Sequence, residues 1–201
     1  IDRGTDNLQI LGKQLHWDYF YSTIGNHEVM LMEAFEESPV IMPYSLDVRL
    51  PSTTHSLNGG KWFSKLRQSL RERVYQQIKA LPLTLEVKTQ WGTIGIVHAE
   101  VPSAFDQWNE FVDAAQTQSS VREKALWQRE FIETALRCDA SNLSYPEWLT
   151  KPVKGIDAVL HGHTPIKQPK VLGNRLYFDT GLEIGEHTIL SAEQVFEYIQ
   201  T

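Results

Sequence analysis

A chain of 201 residues, 41% hydrophobic and 22% charged, is long enough to close a core, and one compact domain over 1–201 is the expectation. Its formal net charge of −6 excludes a broad binder of nucleic-acid backbone, which needs a Lys/Arg-rich face. The one cysteine, Cys138, cannot close an internal disulfide, and no apolar run approaches the roughly 18 residues of a spanning helix, so a cytoplasmic setting without membrane contact is expected.

The chain opens on Ile1-Asp2-Arg3-Gly4 without an initiator methionine and reads as a fragment. Thr5 or Asp6 can cap a helix whose Leu8, Leu11 and Leu15 recur at helical spacing. Tyr19 to Ile24 reads as a strand and Val29 to Glu37 as a helix, which puts Gly25-Asn26-His27-Glu28 on a loop at a strand's end. Ser38 to Gly60, rich in Pro, Ser and Thr, reads as a long surface excursion with a tight turn at Asn58-Gly59-Gly60. Helix resumes from Trp62 to Ala80.

Leu83 to Lys88 and Thr93 to His98 have strand character and flank Thr89-Gln90-Trp91-Gly92, which suits a hairpin. Ser103 to Ala115 and Ser120 to Arg137 carry apolar residues at spacings of three and four, as helices do. Ile156 to Leu160 is a short apolar run that empties into His161-Gly162-His163-Thr164, and Arg175 to Phe178 empties into Asp179-Thr180-Gly181. The recurrence of strand, polar loop and helix, with a hairpin among the strands, predicts a mixed sheet flanked by helices.

Hydrolysis of a phosphate monoester requires positive charge on the phosphoryl oxygens, an activated water and a proton for the departing alcohol; a bridged metal pair supplies the first two. Asn26, His98 and His163 each follow a predicted strand, and together they could share one metal. Imidazole with amide oxygen suits manganese, iron or zinc better than calcium. Taken singly these residues have plainer readings. His98 could be a satisfied core histidine, and His27 beside Glu28 a surface pair.

Asp-Arg-Gly at 2–4, Gly-Asn-His-Glu at 25–28, Val-His-Ala at 97–99 and Gly-His-Thr at 162–164 stand in the order of the phosphoprotein phosphatase signature. Leu57-Asn58-Gly59-Gly60 with Trp62, Trp127-Gln128-Arg129-Glu130 and Asp179-Thr180-Gly181 are similar to bacterial and phage members. The resemblance spans essentially the whole chain. It implies the calcineurin-like metallophosphoesterase fold, an α+β arrangement in which a mixed β-sandwich lies between helices in α/β/β/α layers.

By the same resemblance Asn26, His98 and His163 ligate the second of two divalent metals, manganese first with iron or zinc as alternatives. His27 is the general acid, Asp2 orients it, and Arg3 and Arg129 grip the phosphate. His161 is expected either to support a neighbouring ligand or to be structural, and to point away from His163. His16, His55 and His187 match nothing, and Trp62 could line the substrate entrance. Two departures accompany the match. The family's Asp-x-His-Gly segment and a bridging Asp two positions before Ile1 are not in the sequence, so only second-metal ligands are present. The chain is therefore expected to be an N-terminally incomplete domain, inactive or impaired by itself. Ile24 stands where relatives often carry an arginine.

The implied activity is dephosphorylation of phosphoserine and phosphothreonine in proteins, with phosphotyrosine as a further substrate. Two rivals remain open at this level: a symmetrical diadenosine tetraphosphate hydrolase, and a phosphate-binding module without catalysis. Phosphorylated proteins are the expected partners, with neither nucleic acid nor membrane; the sequence does not indicate an oligomeric state.

Overall fold

Leu11 turns inward and Leu8 stays exposed on the first helix of the computed structural model, α1 (Asn7–His16), and the backbone carbonyl of Asp6 accepts the amides of Gln9 and Ile10 to start it. The structure describes residues 1, 2, 4, 6–16, 18–36, 50–181, 185 and 187–200, with side chains omitted at 13–16. They divide into two compact units, Ile1–Pro82 and Leu83–Thr201.

In the first unit the expected strand at 19–24 is not formed. Its residues are irregular, Tyr19 and Tyr21 are largely exposed, and Ile24 donates a single backbone bond to the carbonyl of Pro82 at 2.8 Å. The next helix, α2 (Asn26–Glu36), begins earlier than its apolar pattern suggests. Gly25 takes the cap position, its carbonyl accepting the Val29 amide at 3.1 Å, and the Glu28 carboxylate reaches back to the Gly25 amide at 2.9 Å. This is half of a capping box, and it draws Asn26 and His27 onto the helix's first turn and off the expected loop.

The excursion expected over 38–60 is also corrected where it is described. Pro51 pre-sets the first turn of α3 (Pro51–His55); Ser56–Gly60 carries the path on to a kink at Gly59, φ 106°, beyond which α4 (Lys61–Ser64) begins. Residues 37–49 lie outside the described residues. The helix expected over 62–80 is split by an extended Arg67, so that α5 (Gln68–Lys79) starts afresh. Ile24, Leu11 from α1, Met30 and Leu31 from α2, Phe63 from α4 and Val74, Tyr75 and Ile78 from α5 are buried apolar residues of this unit.

The second unit holds one five-stranded sheet in the order β1-β2-β3-β5-β4. The hairpin forms as expected between β1 (Thr84–Lys88) and β2 (Thr93–Val97). Thr89 closes it by bonding the Gly92 carbonyl through both its amide and its hydroxyl, and Gly92 sits at φ 147°, where a side chain would strike Asp157. Strands β2, β3 (Ala158–His161) and β5 (Arg175–Tyr177) run parallel, while β4 (Lys170–Leu172) adds an antiparallel edge that the sequence reading did not anticipate.

Alternation along the strands gives the sheet two apolar faces. Ile94, Ala158 and Leu176 pack against Val195 and Phe196 of the last helix, α9 (Ala192–Gln200). Tyr177 and Leu172 pack against Phe131, Ile132 and Ala135 of α8 (Glu130–Ala140). Trp108 of α6 (Trp108–Thr117) lies so close to Gly95 that a Cβ there would meet its ring at 2.8 Å. This is a mixed, helix-flanked sheet of the α+β kind; the second sheet of the expected sandwich is not among the described residues. The helix expected over 120–137 is two helices, α7 (Ser119–Trp127) and α8, because Gln128 turns extended and breaks the path.

Candidate active site

In the first unit the chemistry gathers on Asp2. Its carboxylate is fully buried and takes three donors: Nδ1 of His27 at 2.9 Å, Nε1 of Trp62 at 2.8 Å, and Nε2 of His55 at 3.1 and 3.2 Å from its two oxygens. Burial works against the charge, yet the hydrogen bonds from His27, His55 and Trp62 outweigh it and hold the Asp2 carboxyl well below the usual carboxylate range. An ionised carboxylate only accepts, so both facing imidazole nitrogens carry protons and Nε2 is left as the working atom of His27. The expected pairing of Asp2 with His27 is therefore present. Arg3 lies outside the described residues.

The backbone of Asp2 is held as firmly as its side chain. Its φ is 77°, its amide donates to Oδ1 of Asn7 at 2.7 Å, and Gly59, at φ 106°, approaches so closely that a Cβ would come within 2.4 Å of the Asp2 carbonyl. By sequence alone His55 has no role and Trp62 could line a substrate entrance; both side chains bond the Asp2 carboxylate, His55 from full burial and Trp62 from a half-buried position. Glu28 was missed too, although Gly at the cap with Glu three positions on was a legible capping signal.

In the second unit the parallel strands β2, β3 and β5 end on one edge of the sheet, where open sheets place ligands. His98 follows β2, His163 follows β3, and the Gly162 amide ties the two loops by donating to the His98 carbonyl at 2.9 Å. The rings of His98 and His163 meet edge to face with centres 5.0 Å apart. His163 is at φ 66°, a left-handed conformation uncommon outside glycine. Its Nε2 faces the Trp127 carbonyl at 3.2 Å and the Nε–H of Arg129 at 3.1 Å.

Arg129 is placed by the break between α7 and α8, where it stands at the cap position of α8. That helix end is fixed by Glu100, a buried carboxylate that accepts the amides of Phe131 at 3.0 Å and Ile132 at 3.1 Å and faces the Tyr177 hydroxyl at 3.2 Å. Desolvation pushes the Glu100 carboxyl up to about 7 against those donors. His161 has the burial expected of a structural residue. It is fully buried, stacked on Tyr177 with centres 4.7 Å apart, and burial holds its pKa down at about 3, so it is neutral.

His98 and His163 fit a metal ion. A ligating imidazole nitrogen stands about 2.1 Å from a bound ion, which sets two ring centres on one ion roughly 5 Å apart, and a carbonyl at the other nitrogen, as Trp127 offers, is the usual support of a metal-ligating histidine. Among the described residues no cluster of three His, Cys, Asp or Glu side chains forms a metal site. Asn26 belongs to the first unit, buried on the first turn of α2.

No family model matches the chain. It is 27% identical to serine/threonine-protein phosphatase 2 of Salmonella typhimurium over 184 residues, covering 90% of this chain and 70% of the relative. Serine/threonine-protein phosphatase 1 of the same organism is 29% identical over 197 residues, 96% of this chain and 75% of the relative. Serine/threonine-protein phosphatase 2 of Escherichia coli is 25% identical over 184 residues. The chain is a relative of the bacterial phosphoprotein phosphatases. As a phosphatase-like enzyme it aligns with these relatives over most of its length, and among its described residues no helix is long and apolar enough to cross a membrane.

Proposed function

We propose that the chain is a metal-dependent phosphomonoester hydrolase of calcineurin-like fold that acts on phosphoserine and phosphothreonine in proteins, with phosphotyrosine as a secondary substrate. The observation that carries this reading is the buried Asp2 carboxylate bonded to Nδ1 of His27 on the first turn of α2. That geometry fixes the ring and leaves Nε2 to hold a proton for a departing alkoxide. Asn26, His98 and His163 are the metal ligands on this reading. The divalent pair, manganese first with iron or zinc fitting the same donors, would place positive charge over the phosphoryl oxygens and lower the pKa of the attacking water.

The residues of the chain do the remainder. Arg129, joined by Arg3 on the resemblance, offers planar N–H donors to the phosphoryl oxygens as charge develops there. His27 gives its proton to the leaving oxygen, and Asp2 stabilises the imidazole that bears it. The test compares turnover by the intact-length, manganese-loaded enzyme on a phosphoserine peptide and on diadenosine tetraphosphate. Preference for the peptide is expected. Preference for the dinucleotide would reassign the substrate, and binding without turnover of either would make the chain a phosphate-binding module.

A further inference from the structure

We infer that His55 is a positioning residue for the proton donor: with Trp62 it clamps the Asp2 carboxylate in the orientation that serves His27. The inference rests on the reading of His27 as the general acid. A carboxylate held by one partner can turn about its Cβ–Cγ bond and carry that partner with it. Asp2 cannot, because its Oδ1 takes Trp62 Nε1–H at 2.8 Å while His55 Nε2 sits across both oxygens at 3.1 and 3.2 Å. Oδ2 is thereby left facing Nδ1 of His27.

The segment carrying these donors is built around the contact. His55 is 2% exposed and ends α3, and its ring occupies the space where a Cβ on Gly60 would stand, 2.2 Å away. Gly59 meets the Asp2 carbonyl in the same way. Phe63 supports both donors edge-on, with ring centres 5.9 Å from His55 and 5.8 Å from Trp62. Leu57-Asn58-Gly59-Gly60 is therefore a socket: its two glycines let the kinked turn close on Asp2 and on the imidazole that holds it. His55, buried and spent on Asp2, acts through Asp2 and His27 and not on substrate.

A merely structural histidine would lower stability without altering how the acid works, so two readouts separate the cases. In the chain with 15N-labelled histidine, the Nδ1 proton of His27 should give a downfield, slowly exchanging resonance. It should be lost or moved upfield in His55→Leu and in Trp62→Phe, and kept in His55→Gln, whose amide N–H can still reach Asp2. In the intact-length, metal-loaded enzyme, His55→Leu and Trp62→Phe should lower kcat on a phosphoserine peptide on the order of tenfold more than on para-nitrophenyl phosphate, with KM held and His55→Gln restoring most of the difference. An unchanged resonance, or equal losses on the two substrates, overturns the inference. Should the wild-type enzyme hydrolyse neither substrate, the phosphatase reading fails by itself, and the resonance still decides whether the clamp exists. Trp62→Phe keeps the ring that packs on Phe63, so the test survives a misfolded His55→Leu.

Discussion

Arg129 directs its Nε–H at Nε2 of His163 across 3.1 Å, and that bond is incompatible with a metal on the same imidazole. A metal on Nε2 uses the lone pair that Arg129 needs, and a metal on Nδ1 puts the proton on Nε2, which then donates to the Trp127 carbonyl at 3.2 Å. On the metal-dependent reading proposed above, an ion on His163 would free the arginine for phosphate. Arg129→Ala should therefore tighten manganese or zinc binding by about tenfold, since a hydrogen bond to a charged group is worth about 1.5–3 kcal/mol and a nearby cation is removed as well. Calorimetric titration of the metal alone checks this; an unchanged affinity would show that Arg129 does not compete.

His163→Ala should act in the opposite direction, lowering metal content measured by elemental analysis of the intact-length enzyme by an order of magnitude or more. His161→Ala should change it far less, because the buried, neutral His161 ring is stacked on Tyr177. Equal losses from the two variants would remove His163 from the ligand set.

The Asp2 carboxyl titrates lower in the folded chain than its ordinary 3.8, because hydrogen bonds from His27, His55 and Trp62 overcome its burial. With the folded value depressed, the unfolded chain takes up the proton first. The stabilisation is then complete above about pH 4 and declines as pH falls below it. Urea unfolding should find Asp2→Asn much less stable than wild type at pH 6, with the gap narrowing by pH 3. A gap that does not depend on pH would mean that the charge of Asp2 is not what holds the cluster.

What the sequence disclosed and what it hid follow one physical division. His98 and His163 were legible because a short apolar run followed by a polar residue marks a strand's end without any knowledge of its neighbours. The hairpin was legible because Thr89 to Gly92 carries its own turn chemistry. His55 was not, since its role is a contact with a residue 53 positions away. The break before α8 was hidden because the apolar spacing runs on through Gln128 and Arg129, and the residue that stabilises the new helix start, Glu100, bonds it from 31 positions upstream. The start of α2 is different: Gly25 and Glu28 mark it locally, while the apolar pattern of the helix begins only at Val29.

Glu100 supplies the last test, because it joins the strand-end loop after His98 to the helix that begins beside Arg129. Its carboxylate accepts the amides of Phe131 and Ile132, donors at a helix start that otherwise lack intrahelical partners. Glu100→Ala strands both amides inside a buried site, where each unsatisfied donor costs about 1–3 kcal/mol, so a loss of about 2–6 kcal/mol is expected in urea unfolding. Glu100→Gln keeps a carbonyl oxygen of the same reach and should recover most of that stability. Activity should follow the cap: frayed at its start, α8 no longer fixes Arg129, and Glu100→Ala should raise KM for a phosphopeptide at temperatures where the variant is still folded, while Glu100→Gln leaves KM near wild type. If Ala and Gln destabilise alike, the acceptor is not what matters at this position, and the link from Glu100 through the helix start to Arg129 has to be given up.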